Sequence, residues 1–342
     1  MSMRTEMNMK ERKFKMKHTW IWRGLLIFLC LALSIGGISG CSRPQHDNRG
    51  DGVLRVVCTT YAAYDMARSV IGPGMENSGI TAEILLLGRP GQDMHSYEPS
   101  AQDIVTLSTA DLLISVGDTA EPWIKGALSS ADNPQLLRVD MMTVCGVMGG
   151  TCDLDHDHDH EHSSEMDEHV WVSLKNAIKI SEAIAETAME VVGDQEKAKG
   201  IATARDAYVA QLSALDEAYA DMVAHAKRKE LLVADRYPFA HLMADYGLIC
   251  HAAFPGCSSE TEAYPAVQAE LIRKVEELGL SYIFVVDGSD RKVAENIAKE
   301  TGVQLLLLHS CQVMSKAELD AGLSYLDIAR NNLANLSRAL CE

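Results

Sequence analysis

From Val53 onward the chain alternates β-branched, extended runs with segments of helical spacing, and this alternation constrains the fold more than any other feature. The run "VLRVVCTT" is a strand, "AAYDMARSVIG" has helical periodicity and closes on Gly72, and "ITAEILLLG" is extended again. A further strand, "ADLLISVG", follows a helix that starts near Ser100. Strands separated by helices pair in parallel and are covered by helices on both faces. The same logic returns after residue 229, where "ELLVA", "LICHAAF", "LSYIFVV" and "VQLLLL" are strands around helices at 265–278 and 290–301. A last helix opens at Ser315, with Glu318 placed to close a capping box, and carries Leu319, Leu323, Leu326, Leu333 and Leu336 on one face.

Two helices separate these blocks. Residues 174–192 are amphipathic, and after Gly193 and Asp194 a longer helix runs to about residue 228. Tyr208, Leu212, Leu215, Tyr219 and Met222 recur there at steps of four and three, which is one buried stripe. A helix of that length, rising about 1.5 Å per residue, crosses from one lobe to another. The expected fold is therefore α/β, with two lobes, each a mostly parallel sheet flanked by helices, joined by one long helix. Its expected boundaries are 53–193 for the N-terminal lobe, 194–228 for the linking helix and 229–342 for the C-terminal lobe. No repeat occurs at solenoid periods.

The first forty-one residues set the compartment. A basic segment, "MKERKFKMKHTWIWR", precedes the apolar run "GLLIFLCLALSIGGI" and then "SGC", the pattern of a secretory signal. Ile38-Ser39-Gly40-Cys41 also resembles a bacterial lipobox, so residues 1–41 are expected to be a lipoprotein signal with Cys41 as the lipidated residue. Residues 42–52 are polar and contain Gly and Pro, as a flexible tether does. The protein is then expected at the extracytoplasmic face of the cell membrane, anchored to it through lipid without spanning it.

The formal charge of −17 includes seven basic and two acidic side chains in residues 1–41, so the remainder stands at −22. Such a surface repels nucleic acid and suits a cationic ligand. Of nine cysteines, Cys30 lies in the signal and Cys41 at the lipobox. The spacings Cys145/Cys152 and Cys250/Cys257 permit local disulfides, but spacing does not fix connectivity. The absence of any C-x-x-C pair argues against a zinc ribbon.

In open αβ sheets ligands sit beyond the carboxyl ends of strands. Polar, metal-competent segments occur at such places: "LLLGRPGQDMHSYEP", "DEHVWVS", "LLVADRYPFAH" and "LLLLHSC". Together with "STADLLISVGDTAEPWI", "ADYGL" and "SYLDIARNNLANL", they resemble the substrate-binding lipoproteins of zinc and manganese ABC transporters, from about residue 53 to 342. That resemblance implies two αβ lobes joined by one rigid helix and a single metal ion in the cleft. It implies two ligand histidines from the first lobe, and from the second a His or Glu and then an acidic residue. By motif, His95 in "DMHSYEP" and His169 in "DEHVW" match the first two. Neutral imidazoles from two loops also begin a tetrahedral zinc shell on chemical grounds.

Beyond that pair the chain departs from the family pattern. The third ligand position falls on Arg236, whose guanidinium stays protonated and cannot ligate. Asp235 supplies a carboxylate one residue earlier, and His241 is its rival. At the fourth position His309 emerges from four leucines, where a bare imidazole is costly and ligation would satisfy it. His95, His169, His309 and one carboxylate make a nitrogen-rich shell that favours Zn²⁺, with Mn²⁺ the alternative. The loop 153–168 also holds His156, His158, His160 and His162 alternating with acidic residues. This run has no apolar anchor and is expected to be an accessory loop that gathers metal ions.

The function expected is a receptor that captures Zn²⁺ and delivers it to an ABC-transporter permease and its ATPase, as a monomer. The rivals are a surface metal-storage or adhesin lipoprotein, and a zinc hydrolase, against which stands the lack of an H-E-x-x-H helix.

Overall fold

A computed structural model describes residues 52–76, 78–92, 94–147, 167–254 and 265–342. The signal, Cys41, His156, His158, His160, His162, Cys152 and Cys257 lie outside the described residues.

The first lobe begins with β1 (Val53–Cys58), α1 (Tyr61–Met75) and β2 (Thr81–Leu86), then a single 3-10 turn at Met94–Ser96. It continues with α2 (Ala101–Thr109), β3 (Leu112–Ser115), α3 (Ile124–Ala131), β4 (Leu137–Asp140) and α4 (Met141–Cys145). A second 3-10 turn at Val170–Val172 leads into α5 (Leu174–Val192). The four strands form one parallel sheet in the order β2-β1-β3-β4. Strand β3, "LLIS", is buried throughout, as an inner strand covered on both faces must be. Strand β4, "LRVD", was not foreseen, because an edge strand this short and half polar carries no apolar run.

Helix α1 was expected to close at Gly72 but runs to Met75 through Pro73. Its last turn packs on α6 (Gln195–Ala224), the thirty-residue helix that follows α5. Asp194 caps α6 by accepting from the backbone N–H groups of Glu196 and Lys197. Tyr208, Leu212, Leu215, Tyr219 and Met222 are buried along it, as the stripe predicts. The N-terminal part lies on α1 and α5, and the helix goes on to touch elements of the second lobe.

That lobe comprises β5 (Glu230–Val233), α7 (Ala240–Tyr246), β6 (Ile249–Ala252), α8 (Pro265–Leu278), β7 (Tyr282–Val286), α9 (Lys292–Thr301) and β8 (Gln304–Leu308). Two C-terminal helices follow, α10 (Lys316–Asp320) and α11 (Tyr325–Cys341). Its sheet is also parallel, in the order β6-β5-β7-β8. The single last helix read from the sequence is thus two. The Ser315/Glu318 capping box starts α10, Gly322 takes φ 67, and a second box, Ser324/Asp327, starts α11. The leucine stripe hid this break because it continues across it.

One buried cluster runs from β1 and α1 through α5 and α6 into β5, β8 and α11, so the lobes share a core. Smaller clusters fill the outer faces of the two sheets. Hydrogen bonds tie the junction: Trp171 Nε1–H donates to the Ser310 carbonyl at 2.8 Å, and the Tyr325 hydroxyl to the Trp171 carbonyl at 2.6 Å. Among the described residues no helix is long and apolar enough to cross a membrane.

Candidate metal centre

Each lobe presents the carboxyl ends of its strands to the junction. After β2, Leu87 N–H still bonds to the Cys58 carbonyl, and the chain then turns through Gly88 and Gly91, with φ 85 and 78. Gly91 N–H donates to the Met314 carbonyl of the second lobe at 2.7 Å, which fixes the loop. His95 sits on the short turn that follows, and Tyr97 anchors the turn by packing its ring edge-on to Trp123, 4.9 Å between centroids.

His169 arrives from the other side. Val170 and Trp171, next to it, are buried, and Ser173 caps α5 while its hydroxyl bonds Asp245. The His169 ring is 1% exposed, with Nδ1 2.7 Å from Asp167 Oδ1 and Nε2 3.1 Å from Gln312 Oε1. Both partner atoms are acceptors, and the carboxylate of Asp167 is the stronger, so it takes the Nδ1 proton in the carboxylate–histidine arrangement of metal sites. Nε2, facing the Gln312 amide, is the nitrogen left for a ligand. Burial works against an ionised Asp167, but the His169 hydrogen bond and charge outweigh it and hold this carboxyl below the ordinary carboxylate range. Its other oxygen accepts from Ala240 N–H at 3.2 Å.

The rings of His95 and His169 stand 5.9 Å apart, edge to face. Glu168 Oε1 lies 3.1 Å from His95 Nδ1. Among the described residues, His95, Glu168 and His169 form a group whose ligand atoms all lie within 4.8 Å of one another. Donors about 2.0–2.2 Å from one tetrahedral zinc would be roughly 3.4 Å apart. This set fits a metal ion with small side-chain movement. His95 is the most open of the three, with 31% of its side chain exposed.

The structure places the other sequence candidates elsewhere. His309 is buried, with Nδ1 accepting from Cys311 N–H at 3.0 Å and Nε2 facing Glu318 Oε1 at 3.4 Å, and its backbone is clasped by Asn332. It lies outside the group formed by His95, Glu168 and His169, and its buried Nε2 makes no hydrogen bond among the described residues. Asp235 accepts from Arg236 N–H at 2.8 Å and lines a separate cavity of about 210 Å³ with Arg236, Ser289 and Asp290. His241 Nε2 bonds the Asp167 carbonyl at 2.8 Å, so it supports the loop that carries His169. Glu168 and Gln312 were missed by sequence reasoning. Glu168 ends an acidic run that reads as solvated, and Gln312 follows a turn whose direction no periodicity reveals.

Two parallel αβ lobes meeting over a histidine and carboxylate cluster at their strand ends define a two-lobed ligand-binding protein. The family profile described as "ZnuA: Zinc-uptake complex component A periplasmic" matches residues 56–339, and the chain belongs to that family. Zinc-binding lipoprotein AdcA of Streptococcus pneumoniae serotype 4 is 30% identical over 318 residues, covering 92% of this chain and 60% of AdcA. The chain thus spans about three-fifths of the length of that relative. High-affinity zinc uptake system protein ZnuA of Bacillus subtilis is 29% identical over 324 residues, 93% of this chain and 98% of the relative. Among solved structures, the Zn(II)-bound ZnuA-like domain of S. pneumoniae AdcA aligns at TM-score 0.67 and 27% identity, over 84% of this chain and 99% of that domain. The metal-dependent lipoprotein YcdH of B. subtilis aligns at 0.68 and 26%, over 84% and 100%.

Proposed function

We propose that this protein is the extracytoplasmic receptor of a zinc-uptake ABC transporter, taking up Zn²⁺ between its lobes and passing it to a permease coupled to an ATPase. The observation that carries the reading is the convergence of His95 and His169 from separate loops onto one point at the lobe junction. Imidazole nitrogens are strong donors to zinc and weaker ones to manganese, which sets the preference for Zn²⁺. Cys41 anchors the protein through lipid at the outer face of the membrane. The run 155–162, with four histidines among acidic residues, gathers cations weakly and supplies no ligand to the tight site. The similarity to AdcA and ZnuA, named as zinc-binding and zinc-uptake proteins, supports the same assignment.

The test is zinc titration against a competing chelator. His95→Ala and His169→Ala are each expected to weaken binding at least about 100-fold, roughly 3 kcal/mol, because water replaces an inner-shell nitrogen. Deleting residues 155–162 is expected to leave one tight ion and remove weaker ones. Parent-like affinity in both histidine variants, or loss of the tight ion on deletion, sinks the assignment.

A further inference from the structure

We propose that Glu168 is the anionic ligand of the metal, so that the charge-neutralising donor comes from the first lobe and lies next in sequence to a ligand histidine. The inference deepens the receptor reading and rests on it. A divalent cation leaving water needs negative charge close by, and two neutral imidazoles bring none.

The other described carboxylates around the junction are engaged with groups outside the His95, Glu168 and His169 set or orient its histidines from behind. Asp167 has one oxygen on His169 and the other on Ala240 N–H. Asp287 receives Ser310 and Val313, Asp245 receives the Ser173 hydroxyl, and Glu318 closes the cap of α10 and faces His309. Asp235 opens on the separate cavity. Glu168 reaches His95, with Oε1 3.1 Å from Nδ1, and its carboxylate groups with both histidines within 4.8 Å. What the second lobe extends to His169 is the Gln312 side-chain amide, a neutral group.

The local backbone explains how adjacent residues share one site. In an extended strand the side chains of residues 168 and 169 would point to opposite faces. Here Val170 N–H bonds the Glu168 carbonyl at 2.8 Å, and His169 takes φ −78 and ψ 49. That is an inverse γ-turn, which folds the chain back over three residues. Within this turn both side chains can address the same point. Three donors on one lobe then allow the ion to be captured there before the second lobe contributes its amide.

The experiment compares the full chain with Glu168→Gln, Glu168→Asp and His95→Ala variants, by zinc titration and by crystals with anomalous data at the zinc edge. Glu168→Gln keeps shape and removes charge, and is expected to weaken zinc about 50- to 100-fold. Glu168→Asp is expected to recover part of that loss, and metal-free melting temperatures to stay within a few degrees. The parent map should put zinc within about 2.3 Å of a Glu168 oxygen. If His95→Ala binds poorly while Glu168→Gln binds like the parent, or the map places zinc beyond 3 Å from Glu168, the inference is overturned and the receptor reading stands. Parent-like binding by every variant overturns both.

Discussion

Glu121 shows how a single buried side chain fixes a loop of the first lobe and makes stability depend on pH. Its Oε2 accepts from Val116 N–H at 2.7 Å and Gly117 N–H at 3.4 Å, which holds the turn after β3. Burial pushes its carboxyl up to about 7 against those hydrogen bonds. A carboxyl raised on folding is ionised more readily when unfolded. Its stability contribution is therefore fully present below the unfolded value of about 4.5 and is lost as pH rises through about 7. The loss is on the order of 3 kcal/mol. Glu121→Gln keeps the acceptor and removes the titration, so its melting temperature is expected to fall less than the parent's between pH 4.5 and 7.5. Parallel pH–Tm curves would refute this account of the turn.

At the scale of elements, the crossing of α1 and α6 depends on two glycines. A Cβ on Gly200 would lie 2.0 Å from the Gly74 carbonyl oxygen, and one on Gly74 would meet the Ile201 backbone at 2.6 Å. These helices touch backbone to backbone at the last turn of α1, just past Pro73. Helix propensity alone would make Gly200→Ala stabilising by about 1 kcal/mol. The clash reverses the sign, because backbone cannot yield as a flexible side chain can. Gly200→Ala is expected to destabilise by about 3 kcal/mol in denaturant melts. Gly126, with open space around its missing Cβ, supplies the control: Gly126→Ala should be neutral or stabilising.

For the whole molecule, the shared core and the bonds from Trp171, Tyr325 and Gly91 across the junction set the metal cluster on a rigid frame. A net charge of −17 attracts cations toward that frame at long range. The proposed delivery of an ion to a permease would require the protein to be held at the membrane, the role proposed for lipid at Cys41. Cys41→Ala is expected to appear in the soluble fraction or as uncleaved precursor. Membrane association and processing equal to the parent's would exclude the lipid anchor.

The sequence alone determined the alternation of strands and helices, the long α6 with its buried stripe, and the candidacy of His95 and His169. Periodicity and short motifs are local, and local spacing fixes which face of an element is apolar. It also led the reading astray where the signal was local but the outcome was not. The leucine stripe concealed the break between α10 and α11, and four leucines before His309 gave no sign that its Nδ1 accepts from Cys311 N–H or that Asn332 holds its backbone. Only the tertiary structure decided that Glu168 and Gln312 face the histidines, that Asp235 opens on another cavity, and that His241 props the Asp167 loop. The physical reason is that a ligand set is a meeting of loops from distant parts of the chain. The direction of each side chain there follows from turn geometry and cross-lobe hydrogen bonds, neither of which has a period in sequence.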